Sequence, residues 1–132
     1  MKDILRFMLA AVLIAGVVVC EFALDAVEAI RRRTRKPGVT TGRASYYGEA
    51  YRGRTMANGQ PFDPDGMTCA CWRWPLGQRL RVEHQGREVI VLVTDRGPAV
   101  ALDRLIDLSQ AAFDRLAPLR RGVIAVNVRV EP

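Results

Sequence analysis

An all-β fold with short helical inserts is what this chain predicts, on three observations. Val89-Ile90-Val91-Leu92-Val93 is a β-branched apolar run of strand length. Gln85-Gly86 sits between two such segments as a two-residue hairpin turn. The remaining apolar segments are short and separated by Gly, Pro, Asn and Asp clusters, the punctuation of strands rather than of long helices.

Taken in order, strands are expected at Gly42 to Tyr47, Arg79 to His84, Glu88 to Thr94 and Ile124 to Val130. Ser109 is placed to cap a helix running through Leu116, whose Ala112, Phe113 and Leu116 fall at helical spacing and read as a core-facing stripe. A domain this small gains from a closed barrel, which leaves no strand edge unpaired. Neither an internal repeat nor a low-complexity stretch is visible.

The front of the chain has a different character. Lys2 and Arg6 precede Phe7 to Cys20, an uncharged apolar run of 14 residues that suits a signal-peptide core better than a full membrane span. Residues 25 to 36 read as a helix ending in Arg31-Arg32-Arg33-Thr34-Arg35-Lys36, and Pro37-Gly38 breaks it. Residues 1–36 are therefore expected as an apolar helix with a basic end, residues 37–42 as a linker and residues 43–132 as the domain. The basic run favours cytoplasmic retention by charge counting, against export by the apolar start.

Net charge is +6, from 20 Lys and Arg against 14 Asp and Glu, and it divides equally between residues 1–37 and the rest. Such a modest surplus suits an anionic polymer or lipid headgroups, and no interleaving of basic and aromatic residues points to nucleic acid. Cys69 and Cys71 are too close in sequence for an unstrained bridge, and Cys20 lies in the apolar segment. With His84 as the sole histidine, no metal site and no cofactor are expected.

The chemistry-bearing feature is Asp95-Arg96-Gly97-Pro98, an acid at the end of the apolar strand, with Ile106-Asp107-Leu108-Ser109 behind it. Together with Ala44-Ser45-Tyr46-Tyr47-Gly48, Gly53-Arg54, Ala57-Asn58-Gly59, Phe62-Asp63 and Pro75-Leu76-Gly77, in that order, these motifs resemble the rare lipoprotein A family of double-psi β-barrel proteins. The resemblance spans roughly Arg43 to Val130. It implies a six-stranded double-psi barrel and a peptidoglycan-directed domain, several members of the family being lytic transglycosylases.

By that resemblance Asp95 is the candidate general acid and base. One carboxyl group suffices for transglycosylation, where the sugar's own 6-hydroxyl replaces water, whereas a hydrolase normally uses two. The role needs a carboxyl that holds a proton near neutrality through burial or a neighbouring acid. Tyr47, Asn58, Gln60, Trp72, Arg96 and Asp107 are the candidate substrate-binding residues, the aromatics by stacking on sugar faces and the others by hydrogen bonds or charge. Each also has a plainer reading: core or rim packing for Tyr46, Tyr47, Trp72 and Trp74, a turn for Asn58, Asp63 and Asp65, and a structural pair with Arg96 or Arg104 for Asp107. The chain departs from the family where Gln60 replaces a Glu, Cys71 a His and Met56 a frequent Thr. Two functions therefore remain: a lytic transglycosylase acting through Asp95, and a non-catalytic peptidoglycan-binding or expansin-like wall-loosening module. The expected partners are peptidoglycan glycan strands and, through the N-terminal segment, a membrane. The expected location is the periplasm or cell envelope after export, with the segment cleaved or kept as an inner-membrane anchor.

Overall fold

The computed structural model describes residues 23–29 and 38–132. Contacts divide the chain into two units, residues 1–37 and 38–132. In the first, residues 23–29 are helical. The expected apolar run at 7–20 and basic run at 31–36 lie outside the described residues. Among those described, no helix is long and apolar enough to cross a membrane.

The second unit is a closed barrel of six strands: β1 (Val39–Tyr47), β2 (Thr68–Ala70), β3 (Arg79–His84), β4 (Arg87–Asp95), β5 (Ile106–Ser109) and β6 (Ile124–Val130). Around the barrel they run β1-β5-β2-β4-β3-β6. The β1–β5 and β2–β4 pairs are parallel and the other four antiparallel. β1 begins at Val39, so residues 39–42, expected as linker, lie in a strand paired with β6. The β3–β4 hairpin turns at Gln85-Gly86 as predicted, with φ of +48° and +82°, the left-handed pair that a two-residue turn requires.

Alternation sorts the side chains. Leu80 and Val82 of β3, Val89, Val91 and Val93 of β4, Ile106 and Leu108 of β5, and Ile124, Val126 and Val128 of β6 fill the interior. The helix Gln110–Leu116 completes the core with Ala112, Phe113 and Leu116, and the Phe113 ring packs 4.8 Å from that of Tyr46. Ser109 begins that helix as read. Its fully buried hydroxyl accepts from the Ala112 N–H and donates to the Gly66 carbonyl at 2.5 Å, joining the helix start to the end of a long loop. His84 is buried with Nδ1 2.6 Å from the Ala125 carbonyl, an internal bond between β3 and β6.

Phe113 is the largest fully buried side chain among the described residues. Phe113→Ala is expected to lower unfolding free energy by about 3–5 kcal/mol, since it removes both the transferred surface and the ring's packing. Urea denaturation of the full chain reads this directly, and a loss under about 1 kcal/mol would mean that the helix is not part of the core.

Candidate active site

One irregularity in β4 builds the site. Cys69 of β2 pairs with Val93, but its neighbour Ala70 pairs with Asp95, so Thr94 is an extra residue opposite β2. Strict alternation would turn Asp95 inward behind Val91 and Val93. The bulge instead sets Asp95 level with Ala70, which in turn pairs with Asp107 of β5, itself paired with Ser45 of β1. Ser45, Asp107, Ala70 and Asp95 thus form a row across four strands on the outer face of the barrel. With about 4.8 Å between neighbouring strands, the two acidic Cα atoms lie roughly 10 Å apart with only an alanine between them.

Ala70, Asp95 and Asp107 of this row form the floor of a groove of about 260 Å³ lined also by Tyr47, Tyr51, Arg54, Thr55, Phe62, Arg96 and Gly97. Its far wall is the loop between β1 and β2. Arg52 ties that loop together, reaching Glu49 and Asp65 at 2.9 Å and Asp63 at 3.2 Å. Asp63 and Asp65 are thereby structural, in agreement with their plainer reading. Phe62 is buried against Tyr47 with ring centroids 4.2 Å apart.

Asp95 is held by backbone donors. Its Oδ1 accepts from the Ala57 N–H at 2.9 Å and from the Arg96 N–H at 2.8 Å, and Oδ2 has no partner among the described residues. The Asn58 N–H donates to the Thr94 carbonyl at 3.1 Å, so the loop is stitched to the bulge itself. Asp107 accepts a hydrogen bond from the Ser45 hydroxyl and lies 3.9 Å from Arg104 Nε. The Arg96 guanidinium turns elsewhere: its Nη1 donates to the carbonyls of Cys71 at 2.8 Å and Trp74 at 2.7 Å.

Of the residues read from the sequence, Tyr47, Asp95, Arg96 and Asp107 share the groove, whereas Asn58, Gln60 and Trp72 are not among its lining. Asn58 Oδ1 accepts from the Gln60 N–H at 2.9 Å and Gly59 has φ +86°, so Asn58-Gly59 is a tight turn followed by an exposed Gln60. Trp72 is 61 % exposed and donates its indole N–H to the Pro98 carbonyl at 2.8 Å, which sets it beside the Gly97-Pro98 turn. Tyr51, Arg54, Thr55, Phe62 and Ala70 enter the groove without having been singled out. Only Arg54 and Phe62 carried a signal, as members of the Gly53-Arg54 and Phe62-Asp63 motifs.

Cys69 and Cys71 are free and buried. Contact between the two thiols pushes Cys69 up and Cys71 down from the ordinary thiol value. The Cys71 N–H donates to the Asp95 carbonyl at 3.1 Å, so this residue supports the strand end through its backbone. Among the described residues, no group of three His, Cys, Asp or Glu side chains could hold a metal ion.

The Tyr47 hydroxyl is buried beside Thr68, without a well-formed hydrogen bond. Burial, and then the Asp95 and Asp107 carboxylates, push its phenol well above the ordinary 10.0. A raised phenol contributes stability that is intact below pH 10 and is lost as the pH rises from there towards the folded value. Tyr47→Phe cannot ionise, so its melting temperature should fall less steeply than that of the wild type above pH 10. Parallel curves in thermal melts across that range would contradict a buried, neutral Tyr47.

Known proteins resemble this chain in sequence and in fold. The family model described as "Lytic transglycolase" matches residues 39–128. The endolytic peptidoglycan transglycosylase RlpA of Yersinia pestis is 48 % identical over 77 residues, covering 57 % of this chain and 21 % of that protein. Its counterpart in Pseudomonas aeruginosa strain UCBPP-PA14 is 44 % identical over 89 residues, covering 66 % of this chain and 26 % of that protein. The chain thus spans between a fifth and about a quarter of these relatives' length. Among solved structures, the Streptomyces papain inhibitor aligns with TM-score 0.60 and 33 % identity over 74 % of this chain and 98 % of the inhibitor. An expansin of Clavibacter michiganensis in complex with cellohexaose aligns with TM-score 0.57 and 25 % identity over 71 % of this chain and 50 % of its own.

Proposed function

The chain belongs to the lytic transglycolase family of double-psi β-barrel domains, and on that premise we propose that it cleaves peptidoglycan glycan strands by transglycosylation with Asp95 as general acid and base. The observation that carries this reading is the Asp95 carboxyl group itself, on the groove floor, with Oδ1 pinned by two N–H groups and Oδ2 without a protein partner among the described residues. Such fixing by backbone donors supplies the orientation that general acid catalysis needs.

In the proposed reaction the Asp95 carboxyl proton passes to the glycosidic oxygen. The bond from C1 of the N-acetylmuramoyl residue to that oxygen breaks, its electron pair leaving with the oxygen. The C6 hydroxyl oxygen of the same residue bonds C1, and its proton returns to the Asp95 carboxylate. The products are a 1,6-anhydro end and a free hydroxyl end, with Asp95 restored. No second carboxyl group is consumed, which fits a groove whose other acid, Asp107, is committed to Ser45 and faces Arg104.

Tyr47, backed by the buried Phe62, offers an aromatic edge against which a sugar ring packs, and the exposed Trp72 extends it past Pro98. Arg96 serves by holding the 71–74 segment, Asp107 by holding the floor, and Asn58 by shaping the turn that delivers the Ala57 N–H. Gln60 is exposed on that turn and outside the groove lining, where it is available to a longer glycan. A wall polymer lies outside the inner membrane, so the barrel works in the envelope, with residues 1–36 as export signal or anchor. A second reading, a module that binds and loosens wall without cutting it, is favoured by Gln60 in place of a carboxylate and by the likeness to an expansin.

Asp95→Asn keeps the acceptor for both N–H groups but cannot give and retake a proton. Incubated with purified sacculi, the full-length variant should release anhydro-muropeptides roughly 10²-fold more slowly than the wild type while pelleting with sacculi to the same extent. Equal release by the two proteins would remove Asp95 from the chemistry, and pelleting with no release from the wild type would leave the binding module.

A further inference from the structure

The groove carries charge of both signs, and its cations are not equivalent. Arg96 spends Nη1 on two backbone carbonyls and fastens a loop. Arg54 lines the same groove with its guanidinium 5.3 Å from the centroid of the Tyr51 ring, and no acidic side chain among the described residues pairs with it. Its backbone is fixed: the Arg54 N–H donates to the Tyr51 carbonyl at 3.1 Å and its carbonyl accepts from the Phe62 N–H at 2.8 Å. A guanidinium resting on an aromatic face has fewer conformations to lose when an anion arrives. The floor, by contrast, presents Asp95 and Asp107.

We propose that Arg54, supported by Tyr51, is a subsite for a carboxylate carried by the glycan, and that it sets which sugar of the alternating strand lies over Asp95. The proposal rests on the groove being the glycan site. In an alternating polymer where only the muramic residue bears a carboxyl-containing substituent, a fixed cation on one wall and two acids on the floor accept the strand in one register. The substituent's carboxylate pairs with Arg54 on the wall and stays clear of the floor, where Asp107 disfavours a second acid and Asp95 meets the glycosidic oxygen instead. Two carboxylates of the wall have this chemistry: the free lactyl group of a muramic residue without its peptide, and the acidic groups of the stem peptide.

The test compares the full-length wild type, Arg54→Gln and Arg54→Lys on three polymers: intact sacculi, sacculi stripped of stem peptides by an amidase, and uncharged chitin. Arg54→Gln should weaken pelleting with, and raise KM on, at least one of the sacculus preparations by about tenfold, the scale of one charge-assisted hydrogen bond. Its melting temperature and its binding to chitin should not change, and Arg54→Lys should recover part of the loss. A greater loss on stripped sacculi identifies the lactyl carboxylate, a greater loss on intact sacculi the stem peptide, and an equal loss on both a contact with either.

Binding by Arg54→Gln equal to wild type on both sacculus preparations would overturn the proposal. So would an equal loss on chitin, a fall in melting temperature accompanying the loss, or no recovery by Arg54→Lys. If the wild type binds sacculi but releases no anhydro product, the lytic reading fails and the pelleting comparison alone decides the role of Arg54. If the wild type binds none of the polymers, both fall.

Discussion

One extra residue in β4 decides what this barrel can do. Without Thr94 as a bulge, Asp95 would follow Val91 and Val93 into a core of Leu80, Ile106, Leu108 and Phe113, where an unpaired carboxylate costs several kcal/mol. With it, the acid stands on the outer face in line with Ala70, Asp107 and Ser45. The cost is local, since the Thr94 hydroxyl is buried without a partner. It is offset by backbone bonds gathered at the same place, from Asn58 to the Thr94 carbonyl, from Cys71 to the Asp95 carbonyl, and from Ala57 and Arg96 to the carboxylate.

The long loop between β1 and β2 turns that half-buried acid into a site. It is held from within by Arg52 and its three carboxylates, from below by Phe62 on Tyr47, and at its end by Ser109 on Gly66. A loop so anchored presents the Ala57 N–H and the Arg54 guanidinium at fixed positions, and preorganised donors of this kind cost little reorganisation when a ligand binds. The groove therefore joins an element fixed by the barrel, Asp95, to elements fixed by the loop.

The parts of this arrangement that were legible in the sequence are those governed by local rules. The β-branched run of β4, the Gln85-Gly86 turn and the Ser109 cap each follow from a few neighbouring residues. β2 was not foreseen, because Thr68–Ala70 is three residues long and shows no period, and its place is set by partners in β4 and β5. Ile106–Ser109 stood out as a motif rather than as a strand, for the same reason of length. The bulge was illegible: nothing in Val93-Thr94-Asp95 distinguishes a residue that continues the alternation from one that steps out of it. The site was legible only where motif and strand end coincide, at Asp95, Arg96, Asp107 and Tyr47. Arg54 and Tyr51 join it through the loop's tertiary course, and Asn58 leaves it because its side chain is used by its own turn.

Of the two acids on the groove floor, Asp107 is engaged by Ser45 and faces Arg104, so the proposed reaction relies on Asp95 alone and on the substrate's own hydroxyl in place of an activated water. Digestion of sacculi by the full-length chain in water enriched in ¹⁸O separates the two chemistries at the bond that forms. Transglycosylation through Asp95 should leave 1,6-anhydro ends in the released glycans with no ¹⁸O at C1. Reducing ends carrying ¹⁸O at C1 would contradict it, since they require an activated water and a second group to activate it.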